Sequence, residues 1–289
     1  MKLNTLFETG RPTFSLEIFP PKKHGAPVDT MYRMLEHLTA VDPSFISVTY
    51  GAGGSQAGAI TCELAAHIKR QLGIEPLVHA TCANSTRQQA LDNLELLKAN
   101  GIENVLALRG DLNGDAPLAA DLAHASDLAR LIRQNSTMNL VGACYPEGHY
   151  EHKSLDEDIE NLHYKLDAGV THLITQLFFD NGKFYHFMDK LRQKGITVPV
   201  EAGIMPIIST RQIERTVALS GASLPSPFTR MISRYDSDPQ ALYQAGIDYA
   251  VQQINQLLDW GVQGVHLYIM NNAQVAADVY AGVKANLGR

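Results

Sequence analysis

The sequence has few cysteines, no long apolar run and no cluster of basic residues, and each absence excludes a class of protein. Its three cysteines, Cys62, Cys82 and Cys144, are far apart, so they predict neither a disulfide framework nor a Cys-x-x-Cys pair. No stretch reaches the roughly 18 apolar residues that span a bilayer. The N-terminal residues also lack the apolar segment of a signal peptide. We therefore expect a cytoplasmic protein, in a reducing compartment, with no membrane association.

Basic residues are too few and too dispersed to form a nucleic-acid-binding surface. The chain has 24 Lys and Arg against 30 Asp and Glu, for a net charge of −6, so we expect no nucleic-acid partner. The motifs of serine hydrolases, zinc proteases and P-loop NTPases are also missing. His149 and His152 could form a metal pair, but no third ligand accompanies them, so no metal site is expected.

The chain alternates short β-rich segments with segments of helical periodicity, and 45% of its 289 residues are hydrophobic. This composition predicts a large packed core, and the spacing of the first seven segments is typical of repeated βα units. The predicted strands are 14–19, 45–50, 77–82, 105–109, 140–145, 172–179, 198–204 and 265–270.

Eight βα units predict a (β/α)₈ TIM barrel, with residues 1–289 forming a single catalytic domain. The longest interval, between strands seven and eight, leaves room for an extra helical segment (SLPSPFTRMISRYDSDP) and a long helix. An open doubly wound sheet is the alternative, but that fold usually begins with a Gly-rich phosphate turn. Here the first strand runs into Pro20-Pro21, and residues 51–54 lack the G-x-G-x-x-G spacing.

Two helices have clear start and stop signals. Ser85 with Gln88 predicts a capping box, and a glycine follows the apolar stripe of that helix. Ser154 with Glu157 predicts a second capping box, again with a glycine after the last apolar residue.

Catalytic groups of such barrels lie at the C-terminal ends of the strands. On the first strand, Leu16 and Ile18 point to one side, whereas Ser15 and Glu17 point to the other. Polar side chains belong in the barrel lumen rather than against the helices, so we expect Glu17 near the mouth. Partial burial favours the protonated form of a carboxyl group, as a general acid requires. A Glu satisfied by a neighbouring Arg or amide is the equally weighted alternative.

Other strand ends are polar too, and together they predict a roomy polar pocket for a large ligand. These residues are Thr49, His79, Arg109, Gly110, Asp111, Tyr145 and Gln176. Asp158, Asn161 and Lys165 share one face of the helix after strand five. From spacing alone, that face is best interpreted as an ordinary solvated surface.

Nine segments, in order and mostly at predicted strand ends, resemble the bacterial methylenetetrahydrofolate reductase family. They are FSLEIFPPK, SVTYGAGG, HATC, LALRGD, HASDL, YPEGH, LITQLFFD, GIMPI and HLYIMN. The resemblance implies a flavoprotein barrel that reduces 5,10-methylenetetrahydrofolate to 5-methyltetrahydrofolate. Hydride from NAD(P)H would pass through FAD in a ping-pong relay. It also implies a homo-oligomer, dimer or tetramer, active in one-carbon metabolism and methionine biosynthesis.

The resemblance also assigns roles to residues. Glu17 matches the general acid, and Asp111 matches a carboxylate close to both flavin and folate. Gln176 and Gln212 match substrate-binding glutamines, and Asp111 also belongs to the substrate-binding set. The positions that match FAD-binding residues are Thr49, Tyr50, Ala52, His79, Arg109, Gly110, Asp111, His124, Ala125, Ser126, Tyr145, His149, Asp158, Asn161 and Lys165.

Four positions depart from the better-known bacterial members. Tyr164 and Asn272 stand where those members carry Arg, Thr216 replaces an aromatic residue, and His124 replaces a frequent Tyr. We therefore expect altered affinity for the diphosphate, the folate tail and the nicotinamide, with the acid unaffected.

Two other functions compete with a reductase. A flavin-free (β/α)₈ lyase or aldolase would need a Schiff-base lysine or metal-binding carboxylates at the strand ends, and the predicted strands contain neither. A non-catalytic folate-binding barrel would have no need for Glu17 together with Asp111.

Overall fold

The predicted barrel is confirmed, because eight parallel strands form a closed sheet in chain order. A computed structural model describes residues 1–21, 28–50, 55–83, 85–110 and 122–289. Each strand pairs with its neighbour in sequence, and the first strand pairs with the last, so an open sheet is excluded. The strands are β1 (Thr13–Ile18), β2 (Phe45–Val48), β3 (Pro76–Thr81), β4 (Asn104–Leu108), β5 (Asn139–Cys144), β6 (Val170–Thr175), β7 (Val200–Ile204) and β8 (Gly264–Tyr268).

Helices surround the sheet on its outer side, one after nearly every strand. They are α1 (Val28–Leu38), α2 (Ser55–Gln71), α3 (Arg87–Ala99), α4 (Ala125–Asn135), α5 (Leu155–Asp167), α6 (Asn181–Gln193), α7 (Thr210–Ser220), α8 (Ser226–Tyr235), α9 (Pro239–Trp260) and α10 (Ala273–Val283). The extra segment expected between strands seven and eight forms α8, and the long helix is α9. In the described parts of the chain, no helix combines the length and apolarity needed to cross a membrane.

The alternation of side chains along the strands separates two hydrophobic layers. Phe14, Leu16 and Ile18 of β1 face the helices, where they join the main core between sheet and helices. Inside the barrel, a smaller apolar cluster fills the end from which the strands start. It consists of Leu3, Phe45, Leu77, Leu106, Val141 and Ile174. The polar lumen residues lie between and above this cluster, toward the mouth.

The N-terminal end of the barrel is closed by a 3₁₀ helix, Leu3–Thr9. Leu3 is fully buried, and its backbone N–H donates to Asn104 Oδ1 at 2.8 Å. The ring of Phe7 lies 4.8 Å from that of His172, which points into the lumen from β6. We therefore expect ligands to enter the barrel at the opposite end, where the strands finish.

The predicted helix starts are right in one case and displaced by one residue in the other. Ser154 caps α5, and its side chain accepts the Glu157 N–H as predicted, but Glu157 Oε2 accepts the N–H of Lys153, so the reciprocal half of the predicted capping box is displaced by one residue. The cap of α3 is Thr86, which forms a capping box with Gln89; the predicted pair of Ser85 and Gln88 is therefore wrong by one position. Ser85 with Gln88 and Thr86 with Gln89 both match the capping-box pattern, so the sequence does not decide between them. The backbone conformation does.

Gly246 allows α9 to pack closely against the loop after β7. A Cβ at this position would collide with the Ile207 carbonyl oxygen of the loop after β7. We expect Gly246→Ala to lower the free energy of unfolding by about 1–3 kcal/mol, because backbone must shift to admit the methyl group. Chemical denaturation measures this change. Gln252→Ala on the exposed face of α9 is the control, with an expected change within about 0.5 kcal/mol; equal effects of both variants would contradict the contact.

Candidate active site

Polar side chains from successive strands converge at the mouth of the barrel, in a cavity of about 250 Å³ that we call the central pocket. Its polar lining includes Glu17, His79, Arg109, Tyr145, His149, Tyr150, Thr175, Gln176, Ser220 and Tyr268, together with the backbone at Gly110. Gln176 directly follows β6 rather than lying within it, so the predicted end of that strand was too late. Ala52 and Asp111, two other predicted site residues, lie outside the described residues.

Gly110 shows why the chain turns sharply after β4. Its φ of +84° lies in the left-handed region, and a Cβ there would press against Thr81 at 3.0 Å. Only glycine meets both conditions without strain. The turn therefore brings the backbone after Arg109 close to the end of β3.

Glu17 is buried, with 6% of its surface exposed, and it faces the lumen as predicted. Two histidines contact the same carboxylate oxygen: His266 Nε2 and His79 Nε2 each lie 3.4 Å from Glu17 Oε2. Burial lowers the pKa of His79, with the Glu17 carboxylate opposing that shift, so its ring is predominantly neutral at pH 7. The carboxyl group therefore has neutral imidazole beside it, and no Arg or Lys among the described residues contacts it.

A second buried carboxyl group, Glu201, lies deeper in the lumen and is fully shielded from solvent. Thr13 donates a hydrogen bond to Glu201 Oε1, and Ser15 Oγ lies 3.3 Å from the same oxygen. Burial raises the pKa of Glu201 to about 7, although His266 and the two hydroxyls oppose that rise. Burial likewise lowers the pKa of the adjacent His172, to about 3, so that ring is neutral. The lower lumen thus holds few net charges at neutral pH.

A larger cavity of about 390 Å³ extends outward from the central pocket between α4 and α5, and we call it the helix cleft. Its polar lining consists of Arg109, His124, Ser126, Asp127, Arg130, Tyr145, His149, Glu151, His152, Asp158, Asn161, Tyr164 and Lys165. Ala125 lies at the first turn of α4, on the same wall. Arg109, Tyr145 and His149 line both cavities, so the two are adjacent.

The helix face predicted from spacing alone lines this cleft. Asp158, Asn161 and Lys165 all contribute to its wall, so the solvated-surface interpretation is wrong. Asp158 is buried, and desolvation raises the pKa of its carboxyl. Lys165 Nζ donates to the Ala143 carbonyl oxygen at 2.6 Å, and burial lowers the pKa of its amino group.

Arg109 forms a two-point ion pair with Glu151 at the junction of the two cavities. The two N–O distances are 2.6 and 2.8 Å, and hydrogen bonding to Arg109 holds the pKa of Glu151 at about 2. His149 donates its backbone N–H to Asp158 Oδ2 at 3.2 Å, and its ring lies edge-on to that of Tyr145, at 4.8 Å. These contacts fix the wall against which a ligand would lie.

Some predicted site residues do not enter either cavity. Thr49 directly follows β2, and its carbonyl oxygen accepts the hydroxyl of Thr61. Tyr50 OH accepts from Asn93 Nδ2 on the outer side of the sheet. Gln212 lies in the first turn of α7 and binds the loop after β7: its Nε2 donates to Pro206 O at 3.0 Å, and its Oε1 accepts from the Ile208 N–H.

The unusual residues at the other departing positions have local roles. Asn272 caps α10, where its side chain accepts the N–H groups of Gln274 and Val275. Thr216 is buried, and its hydroxyl lies 3.4 Å from Met205 Sδ. Tyr164, by contrast, is 57% exposed at the rim of the helix cleft.

Sequence reasoning missed Ser15, Glu201, His266 and Glu151. The first three had a visible signal, since each is a polar residue within a β-rich segment, at a position where an alternating strand points inward. Glu151 had none, because its pairing with Arg109 joins two loops that only the closed barrel brings together.

Comparison with known proteins gives a consistent family. A family model described as methylenetetrahydrofolate reductase matches residues 2–284. A 5,10-methylenetetrahydrofolate reductase of Pectobacterium carotovorum is 32% identical, over 97% of this chain and 93% of its own length. Methylenetetrahydrofolate reductase (NADH) 1 of Arabidopsis thaliana is also 32% identical, but this chain spans only 50% of that protein.

A solved structure supports the fold. An uncharacterized protein from Clostridium thermocellum, which binds two copies of 5-methyl-5,6,7,8-tetrahydrofolic acid, superposes with a TM-score of 0.72. The match covers 99% of both chains at 15% sequence identity. At this identity the likeness establishes a shared barrel architecture.

The raised pKa of Glu201 predicts a pH dependence of stability. A carboxyl whose pKa is about 7 in the folded chain and near 4.5 when unfolded binds more protons when folded. Its contribution to the free energy of unfolding is therefore lost as pH rises from about 4.5 to about 7. Over this range we expect the free energy of unfolding of the parent protein to fall by an amount on the order of 3 kcal/mol because of Glu201. Glu201→Gln should abolish this fall. Urea unfolding at pH 5 and pH 8 measures it.

The control for this experiment is Glu95→Gln, which removes an exposed carboxylate on α3. This variant should keep the pH dependence of the parent protein. The same pH dependence in Glu201→Gln and in the parent would show that Glu201 does not titrate in this range.

Proposed function

Since the chain belongs to the methylenetetrahydrofolate reductase family, we propose that it reduces 5,10-methylenetetrahydrofolate to 5-methyltetrahydrofolate in two half-reactions, with FAD as cofactor and NAD(P)H as hydride donor. The observation that carries this proposal is the buried carboxyl of Glu17 at the mouth, beside a long polar cleft. Residues 1–289 act as a single catalytic domain in this proposal.

Glu17 is the general acid. Its carboxyl donates a proton to the bridging nitrogen of methylenetetrahydrofolate, the five-membered ring opens, and the resulting iminium carbon accepts hydride. The reaction therefore consumes one proton and one hydride for each methyl group formed. The carboxyl of Glu17 is buried beside the neutral imidazole of His79 and lines the central pocket, so it lies where a bound folate can reach it.

The helix cleft suits FAD, which is an elongated molecule with a negatively charged diphosphate. When bound there, FAD would supply the redox chemistry that links oxidation of the nicotinamide to reduction of the folate. Lys165 and the N-terminal turn of α4, at Ala125 and Ser126, offer positive charge and N–H donors to the diphosphate. Asp158 and Asn161 offer hydrogen bonds to a sugar or an adenine edge, and Arg109 lies where cleft and central pocket meet.

The remaining roles follow the family pattern. Gln176, at the central pocket, contacts folate and, when it occupies the same face, nicotinamide. Asp111 stabilises the cationic iminium and disfavours retention of electrons by the flavin. Gln212 contacts substrate in this proposal, which requires it to release its hydrogen bonds to the loop between β7 and α7.

We also propose that the protein acts in the cytoplasm as a homo-oligomer. Three free, buried cysteines support a reducing compartment. Self-association is proposed from the family alone.

The Glu17→Gln variant tests the acid role. Flavin-loaded protein is reduced anaerobically by NADH or NADPH, then mixed with methylenetetrahydrofolate while the oxidised-flavin absorbance is followed. We expect the variant to be reduced normally but to lose reoxidation by folate at least a hundredfold, since an amide cannot donate an acidic proton. Normal reoxidation would remove Glu17 from the mechanism. A parent protein that is never reoxidised would favour the folate-binding barrel or the lyase.

Lys165→Met tests the position of the diphosphate. The variant keeps the length of the side chain but loses its charge, so we expect FAD affinity to fall about tenfold, a loss of about 1.4 kcal/mol. Titration with FAD, followed by flavin fluorescence, measures the affinity. The control is Lys190→Met on α6, where the lysine pairs with Asp156 outside the cleft. Equal affinity in both variants would place the diphosphate elsewhere.

A further inference from the structure

The rim of the helix cleft carries an exposed aromatic ring, that of Tyr164 on α5. The side chain is 57% exposed, although it lines the cleft one helical turn after Asn161. In the described part of the chain, its ring stacks on no other aromatic side chain, and no hydrogen bond holds its hydroxyl. A large flat apolar surface that is left open in a cleft suits a planar ligand.

The opposite wall of the cleft carries a guanidinium group, that of Arg130 on α4. Its Nη1 donates to Asp127 Oδ1 at 2.7 Å, and Asp127 Oδ2 in turn accepts the backbone N–H of His124 at 2.9 Å. Hydrogen bonds to a guanidinium lie in its plane, so these contacts fix one edge of the group. The two faces of the guanidinium stay available to a ligand.

The two ends of the cleft suit different parts of a dinucleotide. Arg109 lines the central pocket as well as the cleft, so the flavin ring belongs at that end, near Glu17. Lys165 lies in the interior, where its Nζ donates to a backbone carbonyl. Tyr164 and Arg130 line the cleft but not the central pocket, and both are largely exposed. They therefore lie at the end of the cleft away from the flavin ring.

We propose that Tyr164 and Arg130 hold the adenine ring of FAD between them, and that this adenine clamp makes the cleft select FAD over flavins without adenine. Aromatic rings and guanidinium groups both stack on the faces of bases. Asn161, one turn before Tyr164, is placed to bind the edge of the same ring. The clamp presupposes FAD as the cofactor, as proposed above.

Ionic contacts alone leave this part of the cleft poorly equipped to hold a nucleotide. Arg109 is paired with Glu151, and Arg130 is paired with Asp127. Both cations are thus largely neutralised before a ligand arrives, and partly exposed pairs of this kind contribute little free energy in water. Stacking needs no net charge, so it supplies affinity that these paired cations do not.

The other rings that line the cleft are less suited to this role. Tyr145 lies edge-on to His149 at the junction with the central pocket. His152 lies 3.4 Å from the buried carboxylate of Asp158. His124 caps α4, on the wall that already carries the guanidinium. Within the described lining, the ring that α5 presents to the cleft is therefore that of Tyr164.

The selectivity between two flavins tests the clamp. The full chain, freed of flavin, is titrated with FAD and separately with FMN, and the change in flavin fluorescence gives each Kd. We expect Tyr164→Ala to weaken FAD binding about tenfold and FMN binding less than about twofold, because only FAD carries adenine. Tyr164→Phe should keep the affinities of the parent protein, since stacking needs the ring and not the hydroxyl.

Arg130→Gln tests the other side of the clamp. This variant loses the planar cation, so we expect FAD binding to weaken by about threefold or more while FMN binding is unchanged. In the double variant with Tyr164→Ala, the combined loss should be smaller than the product of the single losses, because both side chains contact one ring. The control is Tyr235→Ala, which removes an aromatic ring at the end of α8, outside the cleft, and should leave both affinities unchanged.

The outcomes separate the clamp from the proposed function. Equal losses of FAD and FMN affinity in Tyr164→Ala would overturn the clamp, because they would place this ring against the half that the two flavins share. An unchanged FAD affinity would overturn it as well. If the parent protein binds FAD but is not reoxidised by folate, the proposed reduction fails, and the two affinities still decide the clamp. A parent protein that binds no FAD would contradict both.

Discussion

Barrel closure is the constraint on which the rest of this molecule depends. Closing the sheet sends every second side chain into a narrow lumen, where polar groups must find partners among themselves. Glu17, Ser15, Glu201 and His266 meet this demand by hydrogen bonding to one another across β1, β7 and β8. The same burial that demands these partners raises the pKa of Glu201, so packing and acid–base chemistry are linked at this residue.

The site divides into two parts with different electrostatic character. In the lumen, burial raises the pKa of Glu201 to about 7 and lowers the pKa values of His79 and His172. The helix cleft instead holds ionised groups, including the pair of Arg109 and Glu151. Proton chemistry and recognition of a charged ligand are thereby kept in adjacent but distinct surroundings, joined where Tyr145 and His149 line both.

Much of this arrangement could be predicted from the sequence, for identifiable physical reasons. Strand alternation has a period of two, so the inward direction of Glu17 followed directly from its apolar neighbours Leu16 and Ile18. The register of the α3 cap did not follow, because Thr86 and Ser85 are equally good caps. The contact of Glu201 with Ser15 joins residues 186 positions apart, and the hydrogen bonds of Gln212 to the loop before α7 depend on the path of that backbone. Such contacts are set by tertiary structure and leave no local pattern.

The 3₁₀ helix that closes the lower end of the barrel makes the lumen a blind-ended tube in the part of the chain that the structure describes. With that end closed and its lumen filled by Leu3 and its apolar neighbours, Glu17 is approached from the mouth of the barrel.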